Sequence, residues 1–190
     1  MDSKTLIFPI LAIVLLITQT ATGTKESYTN FIKTKCNVTT EPTLCVKTLM
    51  PYACTVKNNP RILCIEALKV AIKGTRSAGV IVSNLEKKEG ISKYEAVAFR
   101  DCVEAVKSAE DELRKTVKII GHLNGAEDKE SQLHNAISYT SSVLTNVQTC
   151  IYGFDELEEK ANPNVETGIS RSMGVIIDLS SNALSLITHL

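Results

Sequence analysis

The residues of this chain best suited to do chemistry are six cysteines: Cys36, Cys45, Cys54, Cys64, Cys102 and Cys150. Thiols act as nucleophiles, as metal ligands or as halves of disulfides, and spacing and compartment separate these uses. No two of the six are spaced like metal ligands, and His122, His134 and His189 are scattered, so no zinc site is expected. Carboxylates offer little more. Asp155, Glu156, Glu158 and Glu159 form an acidic run, which on a helix is usually a solvated face. Glu130 and His134 are four residues apart, whereas di-metal bundles use Glu-x-x-His, and this pair has no second copy to face it. There is neither a Gly-x-Ser-x-Gly elbow nor a glycine-rich phosphate loop. The chain reads as a non-enzyme without metal or cofactor.

The first residues give the cysteines their meaning. Lys4 supplies a short positive region, residues 6–17 are apolar and broken only by Pro9, and Ala21-Thr22-Gly23 offers the small residues a signal peptidase requires. The apolar run is roughly a dozen residues, short of the roughly 20 that span a bilayer. Residues 1–23 are therefore read as a signal peptide and 24–190 as the mature domain, with no membrane contact after cleavage. All six cysteines follow the leader, and an even count in an oxidising compartment implies disulfides. Asn37-Val38-Thr39 is an acceptor sequon, which makes Asn37 a glycosylation candidate.

Composition limits the rest. The 190 residues are 44% apolar and 22% charged, the balance of a globular domain, and 21 basic residues meet 21 acidic ones. No basic block suggests nucleic acid as a partner. Aromatics are 5% of the chain and no alternating runs mark strands.

Four long stripes of apolar or small residues recur at steps of three and four, the period of a helix. The first follows Asn59-Pro60, a cap with proline at the first helical position, and runs Leu63, Ala67, Val70, Gly74, Ala78, Ile81, Leu85. Ser92 and Glu95 form a capping box for a second, running from Ala98 through Cys102, Ala109 and Leu113 to Ile120. The third carries Leu133, Ile137, Thr140, Leu144, Val147, Ile151 and Phe154. After Asn162-Pro163 the fourth carries Ile169, Met173, Ile176, Ser180, Ala183 and Ile187. These predict an all-α, antiparallel up-down-up-down four-helix bundle over 59–190. Residues 24–58 precede it as a disulfide-stapled helical hairpin extension. The dense Ala, Leu, Ile and Val content points to a filled core, which weighs against the rival reading of a carrier for lipid or another hydrophobic ligand.

The bundle narrows the pairing of the cysteines. Cys102 lies roughly 19 residues before the end of the second helix, and Cys150 roughly 22 after the start of the third. In an antiparallel pair they stand within about 5 Å of the same height. A Cys102–Cys150 bridge is natural there, worth about 4 kcal/mol on the chain-entropy picture. Cys36 and Cys45 flank Thr40-Glu41-Pro42 and can staple a short hairpin for about 2.5–3 kcal/mol. Cys54 and Cys64 pair by elimination, leaving no free thiol; two free buried thiols are the alternative.

Four stretches point to a family. The segment from Ile32 to Leu49, with Cys36, Thr39, Pro42, Leu44-Cys45 and Leu49, resembles the opening hairpin of the plant invertase and pectin methylesterase inhibitors. Arg100-Asp101-Cys102-Val103-Glu104, Ser141 to Cys150 and Leu179-Ser180-Ser181-Asn182-Ala183-Leu184 resemble three later motifs of that family, in order. The resemblance spans essentially the whole mature chain. It implies secretion to the apoplast and cell wall. It also implies one-to-one inhibition of a carbohydrate-active enzyme by occlusion of its cleft, by a protein that is a monomer when free. Two positions depart from the pattern. Tyr139 stands where the family usually has tryptophan, and Tyr152 where it often has aspartate, close to the surface its esterase inhibitors use. The chain lacks the Pro-Lys-Phe contact motif of invertase inhibitors, so pectin methylesterase is the expected partner and acid invertase the alternative. On the third helix Ser142, Thr145, Thr149 and Tyr152 recur at steps of three and four, beside the stripe of Leu144, Val147 and Ile151. Small hydroxyl side chains let a partner come close while offering hydrogen bonds. These four are the expected contact strip.

Overall fold

The structure, a computed structural model, describes residues 25–123 and 127–190, and for residue 159 the backbone alone. The leader read from residues 1–23 lies outside the described residues. Helix α1 covers 25–36 and ends at Cys36, which is bonded to Cys45 in helix α2 (Pro42–Leu49), with Cα atoms 5.6 Å apart. A 3₁₀ turn, Met50–Tyr52, leads into the four-residue helix α3 (Ala53–Val56). The hairpin is clasped to the rest by one buried side chain. Asn182 accepts from the Glu41 amide (2.8 Å), which has no helix partner, and donates to the Glu41 carbonyl (3.0 Å), which also accepts from the Cys45 amide of α2.

Four long helices follow: α4 (Pro60–Glu86), α5 (Lys93–His122), α6 (Lys129–Asp155) and α7 (Pro163–Thr188). Each starts where its sequence supplies a cap. The Asn59 side chain accepts from the amides of Arg61 and Ile62, Asp128 from Ser131 and Asn162 from Asn164. Ser92 and Glu95 complete the capping box, each side chain serving the other's amide. Gly90, at φ +84°, turns the chain between α4 and α5 in the left-handed region glycine enters freely.

Helices of 26 to 30 residues span roughly 40–45 Å. The connections of six or seven residues reach at most about 25 Å, so consecutive helices must run in opposite directions. The seams agree. Arg76 meets Glu110 and Gly79 faces Val106 between α4 and α5, while Cys102 meets Cys150 and Thr116 meets Thr140 between α5 and α6. Rising numbers on one helix meet falling numbers on the next. Packing of α4 on α5, α5 on α6, α6 on α7 and α7 on α4 closes the ring. Two glycines bring α4 and α7 close: a Cβ on Gly74 would lie 2.5 Å from Leu179 Cδ1, and one on Gly168 2.9 Å from Leu85 Cδ1.

The fourth stripe is buried throughout, as are Ala98, Cys102, Ala109, Leu113 and Ile120 of the second, but the first and third shift. On α4 Val82 is buried and Ile81 is exposed. On α6 the buried line is Ala136, Thr140, Val143, Val147, Cys150 and Phe154. Leu144 and Ile151, expected in that line, are only half-buried. The disulfide explains the rotation. Cys150 must face α5 to reach Cys102, Cα to Cα 4.7 Å, and Phe154 one turn on meets Phe99 edge to face at 5.0 Å.

The expected third bridge is corrected: Cys54 and Cys64 are both unbonded, Cys54 exposed and Cys64 buried. After α3 the backbone turns through Lys57 at φ +52°, and α4 starts afresh at its own cap. Cys54 is left facing water and Cys64 facing the core, so the two thiols occupy different media. Burial pushes the Cys64 thiol up to about 12, which leaves almost none of it as reactive thiolate near neutrality. Titration of denatured, unreduced protein should therefore find two thiols, and native protein should expose one, lost on Cys54→Ser.

Glu95 links two helix ends and brings a pH dependence. Its buried carboxylate accepts from the Ser92 amide (2.8 Å) and the Asn162 amide (2.9 Å). Burial pushes its pKa up, but the hydrogen bonds from Asn162 and Ser92 outweigh this and hold it below the usual glutamate value. A depressed carboxyl stabilises the fold above its unfolded pKa, and that stabilisation is lost as pH falls through the folded value. Glu95→Gln should cost about 1–2 kcal/mol in denaturant melts at pH ~6, and the deficit should shrink as pH falls below ~4.

Candidate functional site

The strip Ser142, Thr145, Thr149 and Tyr152 lies on a helix whose register is set by the disulfide and by Phe154. At about 100° per residue, the buried line through Val143, Val147, Cys150 and Phe154 and the strip are roughly 150° apart. The strip is thus on the outer face of α6, away from the core; it was read as adjacent to the stripe of Leu144, Val147 and Ile151, but that stripe too stands about 150° from it on the helix. Thr145, Thr149 and Tyr152 are exposed, Tyr152 at 56%, and Ser142 is half-buried.

Two of the hydroxyls are already engaged. Thr149 donates to the Thr145 carbonyl at 3.0 Å and Ser142 to the Tyr139 carbonyl at 3.0 Å. This fixes both rotamers and leaves their oxygen lone pairs facing outward as acceptors. The face therefore presents short, rigid side chains with acceptors, and one large amphipathic ring at Tyr152. A flat helical surface of this kind loses little side-chain entropy when covered.

The flank towards α5 adds residues the spacing argument did not include. The Lys115 ammonium lies 5.5 Å from the centre of the Tyr139 ring, and Tyr139 is 37% exposed. Asn146 donates to both oxygens of Glu112, at 3.4 and 3.2 Å. Both contacts cross between helices, so no periodicity within α6 announces them. The acidic run lies beyond the strip, at the end of α6 and in the turn after it; Asp155, Glu156 and Glu158 are exposed. Asn37 is exposed in the turn between α1 and α2, while its sequon partner Thr39 is buried and donates to the Cys36 carbonyl at 2.8 Å. Among the described residues no three His, Cys, Asp or Glu side chains converge as a metal site, and no helix is long and apolar enough to cross a membrane.

Comparison with known proteins decides the lineage. The family model described as plant invertase/pectin methylesterase inhibitor matches residues 30–186. The chain belongs to this family. Among relatives of this inhibitor-family chain, pectinesterase inhibitor 4 of Arabidopsis thaliana is 31% identical over 172 residues, covering 90% of this chain and 85% of that one. Pectinesterase inhibitor 10 of the same plant is 30% identical over 88% of this chain, which spans about half (53%) of that longer protein. A crystal structure of a mutant form of a pectin methylesterase inhibitor from Arabidopsis superposes with a TM-score of 0.63 at 17% identity, covering 82% of this chain and 93% of the other. At that identity the superposition speaks for the all-helical fold alone. The family match takes in the hairpin cysteines, the Cys102–Cys150 pair and all of the strip.

Proposed function

We propose that the mature chain is secreted to the plant cell wall and inhibits a pectin methylesterase there. It binds one to one, laying the outer face of α6 across the active-site cleft. The observation that carries this reading is the strip of Ser142, Thr145, Thr149 and Tyr152, which stands opposite the core on a helix pinned by a disulfide. A rigid outward face with small side chains suits insertion into a cleft, because little of the inhibitor must be reordered on binding. The relatives named as pectinesterase inhibitors support the choice of enzyme. Residues 1–23 serve as the secretion signal in this reading, Asn37 as the glycosylation site, and the protein acts without metal, cofactor or turnover.

The test is inhibition of a plant pectin methylesterase, with an acid invertase assayed in parallel. Thr149→Lys places a long cation in the middle of the strip and should weaken inhibition by more than about tenfold, or 1.4 kcal/mol. Its circular dichroism and melting temperature should match the parent, since Thr149 is exposed and bonds only within its own helix. Ser77→Lys makes the same kind of change at an exposed position of α4 and should leave inhibition intact. Full inhibition by Thr149→Lys would remove the strip from the interface. Inhibition of invertase alone would reassign the partner.

A further inference from the structure

A second surface lies along the seam between α4 and α5. Two grooves adjoin there and share Arg76. One, of about 570 Å³, carries Arg76, Lys87 and Lys107 around Gly79, Val80 and Val103. The other, of about 360 Å³, carries Lys69, Lys73, Arg114 and Lys118 around Ile72 and Val117. On α4 they extend from Glu66 to Lys87, about 30 Å at 1.5 Å per residue. The chain as a whole has no net charge. The seam nevertheless gathers seven cationic side chains against two carboxylates, Glu66 and Glu110.

Neither carboxylate cancels the field. Glu110 is shared between Arg76 Nε at 2.8 Å and Arg114 Nη2 at 2.6 Å, one negative charge for two positive. Glu66 takes Lys69 alone, at 2.8 Å. Among the described residues Lys73, Lys87, Lys107 and Lys118 make no ion pair. Glu104 and Asp111, exposed on α5, line neither groove. The floor of the larger groove is apolar and open, with Val80 61% exposed and Val103 40% exposed. Gly79 keeps the helices close there, since a Cβ would stand 3.2 Å from Val106 Cγ1.

We propose that the α4–α5 seam is a binding groove for an acidic polysaccharide, a chain of sugars bearing carboxylates. The cations supply charge complementarity along some 30 Å, which favours a long polyanion over a single small anion. The apolar strip between the cationic rims fits the C–H face of a sugar ring. A slender chain can lie in a seam between two helices, whereas an acidic protein surface would bridge it. The naming of the polyanion as de-esterified pectin rests on the proposed function: a pectin methylesterase unmasks carboxylates along its substrate. The seam lies across the bundle from the α6–α7 side, so occupation of it leaves the outer face of α6 open. The inhibitor would thus be held where the enzyme's product has accumulated.

The test titrates the mature protein with polygalacturonate, with its fully methylesterified counterpart and with polyglutamate, at about 50 mM salt, where screening is weak. Polygalacturonate should bind, the esterified polymer about tenfold or more weakly, and salt near 0.5 M should abolish binding. Lys87→Glu with Lys107→Glu should reduce affinity about tenfold or more, whereas Lys33→Glu with Lys47→Glu, an equal change of charge on the exposed hairpin, should cost less than about threefold. If the reversed seam unfolds, the neutral pair Lys87→Gln and Lys107→Gln should still lose about fivefold. Equal loss in seam and hairpin variants, equal binding of the esterified polymer, or no binding of polygalacturonate would overturn the proposal. Polyglutamate binding as tightly as polygalacturonate would overturn the choice of a polysaccharide. The seam variants should still inhibit the esterase like the parent. Failure of inhibition by the parent protein leaves the polymer titration to be judged on its own result.

Discussion

The contact on which most of the structure turns is the Cys102–Cys150 bridge between α5 and α6. With Cα atoms 4.7 Å apart, it allows neither helix to slide or rotate. Phe99 and Phe154 lock edge to face one turn away, and the buried Thr116 and Thr140 hydroxyls meet at 3.4 Å farther along. Once this register is set, Val143 and Val147 point inward and the hydroxyl strip must point out. In a chain-entropy picture the bridge also removes freedom from the unfolded state, by about 4 kcal/mol for a loop of this size. It therefore stabilises the bundle and orients its outer face together.

The other seams are held by different means. Between α4 and α7 there is no covalent link, and closeness comes from Gly74 and Gly168, whose missing side chains leave room for Leu179 and Leu85. Between α4 and α5 the contact is partly electrostatic, through Glu110 shared by Arg76 and Arg114. Such a surface pair adds little to stability, and the closeness of this seam comes from packing such as that of Gly79 against Val106. The hairpin depends on its own disulfide and on Asn182, whose two hydrogen bonds to Glu41 join residues 141 apart in sequence. Apolar packing joins it too, since Ile32, Leu49, Ala53 and Val56 are buried in the same core as the four long helices.

The two proposed surfaces differ in kind for physical reasons. The outer face of α6 is nearly uncharged and short-armed, so contact there would be decided by shape and by hydrogen bonds formed at close range. The α4–α5 seam is cationic and long-armed, so it would attract at a distance and tolerate variation in its ligand. A chain with 21 positive and 21 negative residues can carry both only by sorting its charges in space.

Much of this organisation was legible in the chain itself. The four stripes, the caps at Asn59 and Ser92, and the break at Asn162-Pro163 are local signals, because capping and backbone preference act within a few residues. Loop lengths then force neighbouring helices to be antiparallel, which brings Cys102 near Cys150. What local signals do not contain is rotation about the helix axis. A stripe of apolar residues wider than its core line admits more than one facing, and on α6 the disulfide chose Val143 and Cys150 over Leu144 and Ile151. The hydroxyl strip stands about 150° from either candidate line, so it faces outward whichever of the two is buried. Cys54 and Cys64 were paired by elimination, yet a pairing needs two side chains in one place, and the turn at Lys57 sent them to different sides. The basic seam was equally hidden. Its cations are spread over two helices among interspersed acids, and only the packing of α4 against α5 puts them in one groove. Sequence determined the elements, their order and their direction, because these follow from short-range energetics and chain length. Tertiary structure decided which faces meet, because that is settled by volumes, bridges and charges contributed by different helices at once.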